Sequence, residues 1–225
     1  MVTDVQDEQG VISVAGFGSL LSECSARSIF PDLHNFRAGK VKGYRRIFAH
    51  TASVFFQRGI ARLETGEISS LSCESQRGEE IVVSVFDVPG HRTAIQAFLE
   101  REHEFKLVAV QTWTLENVPL PRLSVLCTKW DDETYKMHRC PPEEWARRYT
   151  QYGVDRVWRD DVLPCRVYLR HCVLASHKLG QFSYDSFLDH TYLADRSTTI
   201  RQYLARNPGI MAEKPPDSLV SRYSG

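Results

Sequence analysis

The chain has 225 residues, enough for one domain with a sizeable core, and its 28 basic side chains balance 28 acidic ones for a formal net charge of zero. Neutrality argues against a strongly electrostatic partner, either nucleic acid or an anionic membrane surface. A hydrophobic fraction of 42% marks an ordinary globular protein, no apolar run approaches the roughly 18 residues that span a bilayer, and Met1 to Gly10 is acidic rather than signal-like, so a cytoplasmic location is expected.

Positions 1–10 read as a flexible N-terminus, 11–206 as a single domain and 207–225 as an extended tail. Val11 to Ala15 is rich in β-branched residues and predicts a buried strand at 11–17, which runs into the glycine-framed turn Gly16-Phe17-Gly18-Ser19-Leu20-Leu21. Two glycines permit tight turning and close backbone approach, and such a loop offers N–H groups to an anion. The spacing is neither the dinucleotide fingerprint nor the P-loop, since a third glycine in register and a following lysine are missing. Nor is it the Gly-x-Ser-x-Gly elbow of serine hydrolases. Alone it reads equally well as a turn leaving the edge of a sheet.

A short helix is predicted at 25–30 and strands at 39–49, 56–64, 67–73 and 79–88, separated by Gly, Asp, Glu and Ser clusters. Arg45, Arg46 and Arg58 on these strands have the chemistry to hold a carboxylate bidentately, although exposed strand arginines are usually solvated. Pro89-Gly90 stops the last strand; a helix follows from about His91 to Glu104, then strands at 105–115 and 121–130. Pro141-Pro142-Glu143-Glu144 opens a helix that ends near Gly153, with prolines and acids where a helix N-terminus favours them. Helices are predicted at 165–179, 183–194 and 197–206, the last opened by Ser197 and closed before Asn207-Pro208-Gly209. The segments 131–139 and 155–163, charged and poorly periodic, read as surface insertions. Strands first and helices later, without β–α alternation, predict an α+β fold with a mixed or barrel-like sheet.

Six cysteines stand without a Cys-x-x-Cys pair and predict buried reduced thiols, not disulfides or a zinc site; Cys165 and Cys172, seven apart, share a helix face. The eight histidines show no His-x-x-x-His pair and no neighbouring acid that would suggest a triad, so no metal is expected. One acid stands out. On the helix from 91 to 104, Ile95, Phe98 and Leu99 form the apolar stripe, and at 100° per residue Glu102 falls inside it, while Glu100, Arg101, His103 and Glu104 take the other faces. A carboxylate at an apolar position must be paired, lose its charge or face a cavity, and desolvation raises its pKa toward the range of a general base. At a fraying helix end it would instead reach solvent or pair with Arg101 or Lys106. Tyr168 begins a second stripe with Cys172, Ala175 and Leu179, as a core tyrosine with its hydroxyl at a rim or as a pocket hydroxyl.

Together these segments resemble the γ-glutamylcyclotransferase-like family, which includes the ChaC-type glutathione-degrading enzymes. Gly16-Phe17-Gly18-Ser19-Leu20 resembles the family's Tyr-Gly-Ser-Leu loop, and Gly43-Tyr44-Arg45-Arg46-Ile47-Phe48 resembles the Gly-Tyr-Arg-Arg-x-Phe strand after it. Arg58-Gly59 is a looser echo of a later segment, Leu99-Glu100-Arg101-Glu102 resembles the segment whose last acid is catalytic, and Tyr168-Leu169 resembles one whose tyrosine contacts substrate. The resemblance spans roughly 11–175. It implies a small mixed β-barrel with helices around it and cyclisation of a small-molecule γ-glutamyl substrate to 5-oxoproline without cofactor or metal. It further implies Glu102 as acid/base and substrate contacts from Phe17, Gly18, Ser19, Leu20 and Tyr168. Phe17 departs from the family's usual tyrosine, so a hydrogen bond from that hydroxyl is absent, which bears on substrate and efficiency more than on fold. The competing readings are cyclisation of γ-glutamylamines, a non-catalytic module that binds through the same fold and, more distantly, a hydrolase using Cys or Ser.

Overall fold

The computed structural model describes residues 10–90 and 92–225, with residues 92–94 described through their backbone alone. Apart from Gly10, the expected flexible N-terminus lies outside the described residues. Among the described residues seven strands form one mixed sheet: β1 (Val11–Gly16), β2 (His34–Thr51), β3 (Glu67–Pro89), β4 (Lys106–Trp113), β5 (Pro119–Thr128), β6 (Leu163–Pro164) and β7 (Thr191–Leu193). In the order β6-β3-β1-β5-β4-β2-β7, an additional pairing of β2 with β3 closes β3-β1-β5-β4-β2 into a five-stranded barrel. The α+β barrel expected above is the observed fold.

β1 is the buried centre of this arrangement. It runs antiparallel to β3, with Val11 opposite Pro89 and Gly16 opposite Ser84, and parallel to β5 through Ser13–Ala15. Strands covered on both sides read as continuous apolar runs, which is why 11–15 was legible. The two strands predicted at 67–73 and 79–88 are one: the β2–β3 register jumps from Tyr44 opposite Ser75 to Lys42 opposite Glu80, and Gly43 and Gly78 take the positive φ that this bulge requires.

Among the described residues eight α-helices surround the barrel: α1 (Glu23–Arg27), α2 (Ser53–Gln57), α3 (Arg92–Arg101), α4 (Asp132–Arg139), α5 (Pro142–Arg148), α6 (Arg166–Lys178), α7 (Gln181–Asp189) and α8 (Ile200–Arg206). Four differ from expectation. The predicted strand 56–64 does not form: Phe56 and Gln57 close α2, because Phe55 packs inward on Tyr168 (ring centroids 5.1 Å apart), Phe56 stacks on Tyr152, and Gly59 at φ +63° ends the helix with its N–H on the Phe56 carbonyl, while Leu63–Thr65 is a 3₁₀ turn. The segment 131–139 is no irregular insertion but α4, capped by the Asp131 carboxylate on the Thr134 N–H. With α5 and the segment around Val157 and Trp158 it buries its own small core of Tyr135, Cys140 and Tyr149. The helix predicted at 183–194 ends at Asp189 and yields to β7, which pairs with β2. Finally, α3 stops at Arg101 rather than Glu104, and a turn carries Glu102 to Glu104 into β4.

Beyond α8 the chain does not run extended. It forms two 3₁₀ segments, Pro208–Ala212 and Asp217–Arg222, and returns to α6, where Ile210 and Tyr223 join the main core. Cys165 precedes α6 and Cys172 lies within it, both fully buried as free thiols; Cys24 is the one exposed cysteine.

Candidate active site

The turn after β1 is shaped by close packing. Ser19–Leu21 is a single 3₁₀ turn, held from below by Ser84 of β3, whose hydroxyl donates to the carbonyl of Leu20 at 2.7 Å. A Cβ on Gly16 would lie 2.5 Å from that of Leu20, and a Cβ on Gly18 would lie 2.6 Å from the Tyr168 hydroxyl oxygen. Both glycines are therefore required by approach distance: α6 brings Tyr168 directly against the loop. Burial, then Cys172, pushes the Tyr168 hydroxyl far above its ordinary value, so it remains protonated, and the Ser19 backbone N–H faces it.

Opposite the loop stands the end of α3. Phe98, 3% exposed, anchors this helix by packing its ring 5.6 Å from Phe30. One turn later the Glu102 N–H still reaches the Phe98 carbonyl, and the Glu102 carbonyl accepts from Phe105 N–H, so the turn is held by backbone bonds at both ends. Arg101 joins the two halves: its Nε donates to Glu102 Oε1 at 2.8 Å and its Nη2 to Ser19 Oγ at 2.9 Å. Glu102 thus takes the pairing with Arg101 expected of a helix end and at the same time faces a cavity.

That cavity has a volume of about 690 Å³, and Phe17, Gly18, Ser19, Leu20, Glu102 and Tyr168 all line it. Such a volume accommodates a small peptide. Beneath Glu102 lies Cys127, whose thiol is pushed well up by burial and then by the Glu102 carboxylate; burial likewise raises Cys165 to about 12. These thiols are not thiolates near neutral pH, which removes them as nucleophiles.

Glu104 was expected on a solvent face, and here the structure differs most from the sequence reading. Its side chain is 14% exposed against 13% for Glu102. Because α3 ends early, Glu104 turns the other way and accepts from Ser53 Oγ and the Tyr149 hydroxyl, with His50 Nε2 3.2 Å from Oε2. Burial alone would raise this carboxyl, but His50, Tyr149 and Ser53 outweigh it and hold it at about 2. His50 Nδ1 lies 2.6 Å from Ser70 Oγ, so a histidine without an acid near it in sequence sits between a serine and a carboxylate in the fold.

No protein-family model and no curated protein matches the sequence. Solved structures of similar path include a γ-glutamyl cyclotransferase, 12% identical with a TM-score of 0.40, covering 65% of this chain and 89% of that one. They also include an uncharacterised protein from Homo sapiens, 12% identical with a TM-score of 0.41 over 65% of this chain and 89% of that one. A third is a γ-glutamyl cyclotransferase specific to glutathione from yeast, 13% identical with a TM-score of 0.44, covering 90% of this chain and 96% of that one. What those names state belongs to those proteins.

Of the arginines singled out from the sequence, Arg45 is spent on Glu74 at 2.6 Å, and Arg46 is fully buried, donating to the carbonyls of Val82 and Ser186. Arg58, at the end of α2, does line the cavity. Sequence reasoning missed Glu104, His50 and the C-terminal residues Arg222 and Tyr223, which also line it, and named Arg101 as a helix-end partner of Glu102 without placing it in the site. Arg101 had a local signal, since it precedes Glu102 directly; nothing along the chain relates positions 50 or 222 to position 102.

Proposed function

We propose that this chain is a γ-glutamylcyclotransferase with Glu102 as its single acid/base. The observation that carries the reading is the meeting of Glu102 and the Phe17–Leu20 loop across one cavity, with Arg101 touching both. A γ-glutamyl compound carries its own nucleophile. Once the α-ammonium group loses a proton to Glu102, its nitrogen attacks the δ-carbonyl carbon and forms the C–N bond of a five-membered lactam. The original amide C–N bond breaks, and the two protons shed by the attacking nitrogen end on the leaving amine, carried there by the same carboxylate. The products are 5-oxoproline and the amine half, and no covalent enzyme intermediate is required. The backbone of the 3₁₀ turn supports the developing oxyanion, and the Tyr168 hydroxyl, neutral and fixed against Gly18, bounds the glutamyl half. Proton transfer of this kind contributes roughly 10²- to 10⁴-fold, and the remainder comes from holding the substrate in its ring-closing conformer.

Glu102→Gln keeps the shape of the side chain and its contact with Arg101. It is expected to cut 5-oxoproline release by at least about 100-fold while the melting temperature stays near that of the parent protein. A variant that keeps most of its turnover removes Glu102 from the mechanism. Product identity separates the competing classes: a pure binding module releases no 5-oxoproline from any γ-glutamyl compound, and free glutamate in its place points to hydrolysis through Ser70 and His50.

A further inference from the structure

Four arginines from remote parts of the chain line this one cavity: Arg58 at the end of α2, Arg101 at the end of α3, Arg148 at the end of α5, which is paired with Glu144, and Arg222 in the 3₁₀ turn Asp217–Arg222. Arg101 is engaged by Glu102 and Ser19. The other two have no carboxylate partner among the described residues. Arg58 is held instead by Tyr223, donating from Nη1 to its hydroxyl at 2.6 Å while the guanidinium lies 5.8 Å from the ring centroid. Tyr223 itself is 3% exposed, so the contact that orients Arg58 is fixed in the core. Partial desolvation, then the Arg58 and Arg101 charges, lower the pKa of Arg222 against an opposing contribution from Tyr223. An anion bound between them would relieve that repulsion, and the planar guanidinium fork matches a carboxylate.

We infer that Arg58 and Arg222 form a subsite for the carboxylate of the substrate's leaving half, and so select γ-glutamyl amino acids and peptides over γ-glutamylamines. This rests on the cyclotransferase reading. Neither α2 nor the C-terminal turn carries a group assigned to ring closure, so these two cations face a part of the ligand other than the reacting glutamyl group. Arg101, bonded to both Glu102 and Ser19 of the loop, is the cation placed for the α-carboxylate of the glutamyl half, which leaves the carboxylate of the departing amino acid or peptide for Arg58 and Arg222.

The test compares γ-glutamylglycine and glutathione, each against the same compound with its leaving-half carboxylate converted to a carboxamide. The parent protein is expected to favour the carboxylate forms by about ten-fold or more in kcat/KM, the range of a charge-assisted hydrogen bond. In Arg222→Gln that preference is expected to fall toward one, through KM more than kcat, and Arg222→Lys is expected to restore part of it. Equal use of acid and amide by the parent protein, or an unchanged preference in Arg222→Gln, overturns the subsite and leaves the cyclotransferase reading standing. If no compound yields 5-oxoproline, that reading fails, and calorimetric binding of the same four compounds to parent and Arg222→Gln then decides the subsite by itself: carboxylate-dependent binding lost in the variant supports it, and its absence ends it.

Discussion

At Gly18 a hydrogen atom is all that the site allows, because the Tyr168 hydroxyl oxygen lies 2.6 Å from where a Cβ would be. Tyr168 has no room to yield, since its ring packs against Phe48 and Phe55. Gly18→Ala is therefore expected to cost about 1–3 kcal/mol by overpacking and to displace the loop that faces Glu102. Tyr168→Phe removes the offending oxygen, so in the double variant part of the stability loss should return; a double-mutant cycle on thermal unfolding measures that coupling, and strict additivity would show that the two groups do not meet. Glu102 and Glu104, two residues apart, illustrate how local geometry separates roles. Glu102 keeps a single arginine partner and an open side toward the cavity, whereas Glu104 is used up by Ser53, Tyr149 and His50. Those contacts tie the turn after α3 to β2, to α2 and to the residue after α5.

At the scale of elements, the decisive event is the end of α3 at Arg101. Had the helix continued, Glu102 and Glu104 would stand 200° apart on one cylinder; the turn instead brings both to the cavity wall, Glu102 against Arg101 and Glu104 against His50 of β2, Ser53 of α2 and Tyr149 just past α5. Phe98 holds the helix end in register through Phe30. Phe98→Ala is expected to destabilise the protein by about 3–5 kcal/mol, read from denaturant unfolding, and to lower turnover further than the loss of folded protein explains, because Glu102 loses the anchor one turn before it. The amphipathic stripe of this helix was readable from Ile95, Phe98 and Leu99, but its endpoint was not: the pattern of apolar residues runs through Glu102 unbroken. α2 was misread for a related reason. Its Ser-Val-Phe-Phe-Gln run is as compatible with a strand as with a helix, and only the packing of Phe55 on Tyr168 and Phe56 on Tyr152 decides.

The whole molecule couples the cavity to acid stability. His171, on α6, is 1% exposed, and its Nδ1 accepts the Gly225 N–H, which requires that nitrogen to be unprotonated. Burial foremost, with Arg101, Arg222 and Lys178 contributing, lowers its pKa from 6.5 to about 4. A histidine kept neutral in the fold lends stability that is complete above pH 6.5 and is lost as pH falls toward 4. Glu104, lowered from 4.5 to about 2, adds a second contribution that is present above pH 4.5 and lost below it. Melting temperatures are therefore expected to fall first between pH 6.5 and 4 and again below 4.5. Replacing His171 with Asn should flatten the first step alone; a parent protein equally stable at pH 7 and pH 4 would refute the linkage. Protonation of His171 also breaks the bond to Gly225, so the C-terminal segment that supplies Arg222 should loosen in the same range, seen as faster amide exchange at 217–225.

What the amino-acid sequence determined by itself was whatever depends on near neighbours. The apolar run of β1, the glycine turn after it, the stripe of α3 with its misplaced carboxylate and the buried face of α6 are all written within about fifteen residues, because strand and helix periodicity and glycine sterics are local. The α+β class followed from the order of such segments. The tertiary structure alone decided that β2 and β3 close the barrel and that Glu104 is withdrawn from solvent beside His50. It alone decided that Arg58, Arg101 and Arg222 share one cavity. Each of these depends on contacts between positions tens to more than a hundred residues apart, and no periodicity along a chain encodes which distant side chains will be left facing the same space once the core has packed.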